Sequence, residues 1–107
     1  STADENAFDY VCQTCGKHEL EKFECCGEVL WQDDVALMTQ VLRQEPDAMA
    51  NLERQGVITN YPYNPETKEG GGLFTSATRM PWFLLSGMVQ MNARIKELEA
   101  RLLQEAK

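Results

Sequence analysis

The apolar positions of this chain separate into two short helical patterns and one long heptad stripe. Residues 33–44, DDVALMTQVLRQ, place Val35, Leu37, Met38, Val41 and Leu42 at helical spacing, with Asp33 or Asp34 ready to cap the first turn. Residues 45–56, EPDAMANLERQG, predict a second helix. Pro46 suits its first position, Gly56 its stop, and Met49 and Leu52 face the core. Residues 81–105 predict one long helix opened by Pro81. Within it Leu84, Met88, Met91, Ile95, Leu98 and Leu102 recur at alternating spacings of four and three, a seam of about two and a half heptads.

With Met88, Ile95 and Leu102 at the a positions and Leu84, Met91 and Leu98 at d, Arg94 falls at g and Glu99 at the following e. Those two would pair between parallel chains. Glu97 and Arg101 add a pair within one helix. Such a helix either covers its own small core or joins copies. Self-association is the expectation, because KELEARLLQEAK is polar on every face but the seam. Dimer and trimer stay open, since Gly87 and two seam methionines specify neither sharply.

The rest of the chain carries weaker patterns. Residues 1–9 read as a polar tail that would fray. Residues 10–32 form a cysteine module, with Tyr10-Val11 and Phe23-Glu24 as short strands. Residues 33–57 hold the two short helices. Residues 58–80 read as an irregular arm, with Pro62 and Pro65 blocking ladders and Gly70, Gly71 and Gly72 as a flexible joint. Tyr61, Tyr63, Leu73 and Phe74 would anchor that arm on its own domain or on a partner. Residues 81–107 complete the chain. The fold class expected is a small α+β protein with a metal-knuckle β module, helices and a long coiled-coil-like helix.

All four cysteines lie in YVCQTCGKHELEKFECCGEVL, residues 10–30. Cys12 and Cys15 make a C-x-x-C turn, and Cys25 and Cys26 are adjacent. Four thiolates close a tetrahedral shell around one soft or borderline ion. Gly16 and Gly27 follow each pair, where the backbone must turn for its N–H groups to face sulfur. The halves YVCQTCG and FECCG echo each other. His18 could replace one adjacent cysteine as ligand, or be an ordinary surface histidine. A disulfide framework is weighed down by adjacent cysteines and by a reducing compartment. A thioredoxin-like dithiol lacks its βαβ setting.

This stretch resembles the desulforedoxin type of metal centre, in which C-x-x-C-G is followed by C-C-G. The resemblance implies Cys12, Cys15, Cys25 and Cys26 as ligands of one zinc or iron, Gly16 and Gly27 as knuckle glycines, and Leu30 as the apolar residue closing the turn. It covers residues 10–30 alone. The insert HELEKFE is shorter than that family's glycine-bearing one, so zinc is the expected metal and iron the alternative. The catalytic domain that accompanies this centre in superoxide reductases needs several histidines, and the chain has 1.

Size and charge narrow the function. The chain has 107 residues, enough for one domain with a small core. Units this short lean on metals or partner chains. The net charge of −7 and the absence of a basic run argue against direct nucleic-acid binding. No stretch is apolar enough for a membrane span. STADENAFDY is no signal peptide, and a small first residue is what remains when an initiator Met is trimmed, so the cytoplasm, or a virion assembled there, is expected. No catalytic constellation stands out, and a closed thiolate shell leaves no position for water. The expectation is a zinc-stapled interaction or structural protein that self-associates or docks on another subunit, such as a phage accessory or virion component. A regulator of nucleic-acid machinery and an iron electron carrier are the alternatives.

Overall fold

The computed structural model describes residues 7–106. Its elements run β1 (Tyr10–Cys12), β2 (His18–Glu19), β3 (Val29–Trp31), α1 (Asp34–Leu42), α2 (Pro46–Arg54), β4 (Ile58–Tyr61), β5 (Gly72–Thr75) and α3 (Arg79–Glu105). The fold is a small α+β one. It stretches to 68 × 30 × 22 Å because α3, 27 residues long, outruns the head formed by the rest.

Local chemistry sets the helix ends. The Asp33 carboxylate accepts the Ala36 N–H at 3.0 Å and caps α1. Pro46 opens α2, and Gly56, at a φ of 73°, follows its last turn. α3 begins at Arg79, two residues before Pro81. Pro81 stays in the first turn, where a missing N–H costs no helical bond.

Three segments differ from expectation. Residues 23–24 form no strand. β1 instead lies between β2 and β3, both antiparallel to it, with Val11 opposite His18 on one side and Leu30 on the other. The Cys12 N–H donates to the Lys17 carbonyl and the Gln13 N–H to that of Glu28, so the ladder closes beside the knuckles and leaves Phe23 in the loop. Residues 58–80 are not an irregular arm throughout. β4 and β5 pair over Ile58↔Thr75 to Tyr61↔Gly72. Pro62 and Pro65 lie past the end of β4, and Gly70 and Gly71 take positive φ in the turn rather than acting as a joint. The tail, finally, is anchored at its end. Phe8 is fully buried, stacked on the His18 ring at 3.8 Å and edge-on to Phe83 at 5.7 Å. Residues 1–6 of that tail lie outside the described residues.

The apolar core is Phe8, Leu37, Ala48, Leu52, Val57, Ile58 and Phe83, flanked by Met38, Val41, Met49 and Met80. Burying each large side chain is worth roughly 1.5–3 kcal/mol. One element, α3, reaches this core only through its first half. Phe83, Gly87 and Gln90 are its buried residues. A Cβ at Gly87 would sit 2.2 Å from the Met38 Cε, so the missing side chain lets α1 approach.

Beside the apolar core runs a buried polar one. Asp34 is fully buried and accepts from Ser86 Oγ (2.6 Å), Gln32 Nε2 (2.8 Å) and Gln90 Nε2 (3.1 Å). Gln90 also accepts the Asp34 N–H at 2.9 Å. Gln32 and Gln55 exchange amide bonds at 2.7 and 3.1 Å, and Gln55 donates to Asn51 at 3.0 Å. No buried side-chain nitrogen or oxygen among the described residues lacks a partner. Burial pushes the Asp34 carboxyl up to about 7, and the nearby Asp9 and Asp33 carboxylates add to that, against the bonds from Ser86 and Gln32.

A raised carboxyl has a definite linkage sign. Between roughly pH 4 and 7 the folded chain keeps a proton that the unfolded chain has released, so stability falls as pH rises through this window and levels off above it. Urea midpoints of the metal-loaded protein at pH 6 and pH 8 are expected to show a smaller pH-dependent loss for Asp34→Asn than for wild type. Equal losses in both proteins would assign the dependence to another group.

Candidate metal centre

The four cysteines converge because two short turns are held face to face. Cys12 ends β1, and the turn after it closes when the Gly16 N–H donates to the Cys12 carbonyl at 3.0 Å. Gly16 sits at a φ of 79°, and a Cβ there would lie 2.1 Å from the Arg54 carbonyl oxygen. Only glycine lets this knuckle seat on the C-terminal end of α2. Gly27 serves the second knuckle. A Cβ there would meet Thr14 Oγ1 at 2.1 Å, so each turn packs directly on the other.

The result is a cluster in which all four Sγ atoms lie within 4.8 Å of one another. Cys12 and Cys26 are 3.8 Å apart, and Cys15 and Cys25 are 3.5 Å apart. A disulfide needs about 2.05 Å, so none of these is bridged, and all four are free thiols. Four sulfurs at about 2.3 Å from a central ion would stand about 3.8 Å from each other, which these spacings fit. The cysteines are thus placed to hold one metal ion.

The electrostatics differ across the cluster. Cys12 is buried, and the Cys15 N–H, aided by that of Thr14, lowers its thiol to about 6. Cys26 is pushed up to about 12, chiefly by the Cys15 sulfur, and Cys25 is raised by the same neighbour. Four sulfurs this close cannot all ionise alone; a cation between them reverses that preference. With a divalent ion the group would carry a charge of −2. A cavity of about 380 Å³ beside Cys15 is lined by Lys17, Arg54 and Arg79, with Glu19 and His18, and places cations next to that charge.

His18 is neither a ligand nor a surface residue. It is buried, its Nδ1 is 2.8 Å from the Ala7 carbonyl, and its ring lies flat on Phe8. Burial, with the Arg79 charge adding to it, lowers its pKa. Leu30 does not close the knuckle from inside: it is 45% exposed, while Val29 points inward. β-alternation reverses the expected face.

The other candidate residues lie apart from the cluster. Tyr61, Tyr63, Leu73 and Phe74 are exposed on the β4–β5 hairpin, where Tyr61 and Phe74 meet edge to face at 5.1 Å. Seam residues Leu84, Met88, Met91, Ile95, Leu98 and Leu102 are all exposed on α3. Arg94 pairs within its own chain, 2.7 Å from Asp33, and Arg101 bonds Glu97 at 2.6 Å.

Two groups escaped sequence reasoning. Phe8 looked like part of a tail, Asp34 like an alternative helix cap, and Gln32, Gln55 and Gln90 carried no signal of burial. One signal was present: Phe83, Gly87, Gln90 and Arg94 repeat the seam's four-three spacing one residue earlier, marking a second stripe on the same helix.

Comparison with protein-family models, curated proteins and solved structures finds no match for this chain. No helix of the described residues is long and apolar enough to cross a membrane.

Replacing Cys25 or Cys26 with Ser is expected to remove most bound metal and to loosen the β1–β3 sheet. Metal content by elemental analysis checks this, and a full complement in either single variant would overturn the four-sulfur assignment.

Proposed function

We propose that this is a non-enzymatic interaction protein in which a zinc-stapled head holds one half of a long helix and offers the other half to another protein subunit. The observation that carries this reading is the second half of α3. Residues 95–105 are all exposed, and Ile95, Leu98, Leu102 and Leu103 are 50–69% open to solvent. An isolated helix of that length is marginal in water, and an apolar stripe along it is costly to leave wet. A partner helix supplies both support and cover.

Zinc fits the other end. The head is too small to be held by its core alone, and a structural metal adds folding free energy there. Its four-thiolate shell leaves no ligand position for a substrate. The exposed aromatic face of the hairpin offers a second contact surface for the same assembly. The cytoplasm or a virion is the setting this reading entails.

One observation favours an iron electron carrier instead. Cys15, Cys25 and Cys26 are exposed, which would bring a redox centre to the surface. An absorbance spectrum and elemental analysis on protein purified without added metal separate the two. About one colourless zinc per chain is expected; a coloured, reducible iron centre would overturn the staple. Ile95→Asp places a charge in the seam and is expected to abolish association while leaving zinc content and the fold of the head intact. An unchanged mass in solution would show that the seam is not the docking surface.

A further inference from the structure

We infer that the occupant of the α3 seam is a second copy of this chain, bound parallel and in register. The inference rests on the reading of α3 as a presented docking helix and names its partner and orientation. A stripe with a 3.5-residue repeat matches a helix that winds around it with the same period, which another copy supplies.

The orientation follows from what flanks the seam. Phe83, Gly87, Gln90 and Arg94 face the chain's own head, and each precedes a seam residue by one position. One residue is about 100° of helix, so the head stands directly beside the seam, on the side of Gly87 and Arg94. In a parallel pair this g side of one helix meets the e side of the other. The e side carries Leu85, Asn92 and Glu99. Glu99 then falls next to the partner's Arg94, which already bonds Asp33, so one guanidinium bridges two carboxylates.

The same arrangement puts Leu85, 46% exposed, on the side where the second head stands. With Trp82 and Val89 it lines a groove outside the seam, whose other side is Ala7, Asp9 and Leu20 of its own head. On that head, the C-terminal half of α1 shows Leu42 at 85% exposure. Parallel pairing would bring these exposed apolar side chains to the same side of the pair. The two heads stand on opposite sides of the pair, because a two-fold axis relates the two g sides. Antiparallel pairing over the same seam does the reverse. It brings Arg94 towards its own copy near the midpoint and sets Glu99 against Leu85.

The test uses the full, metal-loaded chain and measures mass and dissociation constant by sedimentation. Wild type is expected to be a dimer. Glu99 is exposed, so Glu99→Arg leaves the head untouched; it removes two attractive pairs and adds two repulsive ones per dimer. Each change is worth up to about a factor of two, so dissociation should rise about tenfold. A monomeric or trimeric wild type overturns the inference, and so does Glu99→Arg that pairs as well as wild type. If Ile95→Asp dissociates the protein but Glu99→Arg does not weaken it, the docking helix stands and the parallel orientation falls. If neither variant changes the mass, both readings fall.

Discussion

A single buried carboxylate decides how the long helix meets the head. Asp34 begins α1, yet its side chain turns inward and takes hydrogen bonds from Ser86 and Gln90 on α3 and from Gln32 after β3. A purely apolar contact between two helices tolerates sliding by a turn. A carboxylate that must find three donors does not, because a shifted helix would leave a buried oxygen unpaired at a cost of about 1–3 kcal/mol. Polar satisfaction here sets register, while Phe8, Leu52 and Phe83 supply the burial energy.

That constraint extends to the metal centre through contiguous contacts. The first knuckle rests its glycine on the Arg54 carbonyl, at the end of α2. The next residue, Gln55, is fully buried and exchanges bonds with Gln32, which bonds Asp34. Arg79, the first residue of α3, donates to the Gln55 carbonyl at 2.9 Å. The knuckle, the end of α2 and the start of α3 therefore share one neighbourhood. An ion that ordered the knuckle would stiffen the surface on which α2 and α3 sit.

The parts legible in the sequence are those where one local rule dominates. Asp33 as cap, Pro46 as opener and Gly56 as stop each act within a turn, and the helices end where they indicate. The four cysteines converge as their spacing implies, because a C-x-x-C turn and an adjacent pair each present two sulfurs to one point. Long-range pairings were not legible. The strand at His18–Glu19 exists because β1 needs a partner, not because His and Glu prefer strands. The β4–β5 hairpin forms although prolines and glycines crowd its connection, since Pro62, Pro65, Gly70 and Gly71 fall between the strands and Gly72 only opens β5. Phe8 was hidden by its polar neighbours, and the buried glutamines by a composition that normally faces water.

The two stripes on α3 share one helix without a break in its pattern. Phe83, Gly87 and Gln90 face the head for just over two turns. After the Arg94–Asp33 pair that contact ends, while the apolar stripe one residue onward continues through Ile95, Leu98 and Leu102. A helix meant only to cover its own core would turn polar where the core stops, since exposed Leu and Ile add nothing to monomer stability. Here the polar change occurs on the head-facing stripe, from Phe83 to Arg94, and the seam stays apolar. The divergence of two stripes that share one helix and one spacing is the observation behind the proposal that the second meets a different molecule.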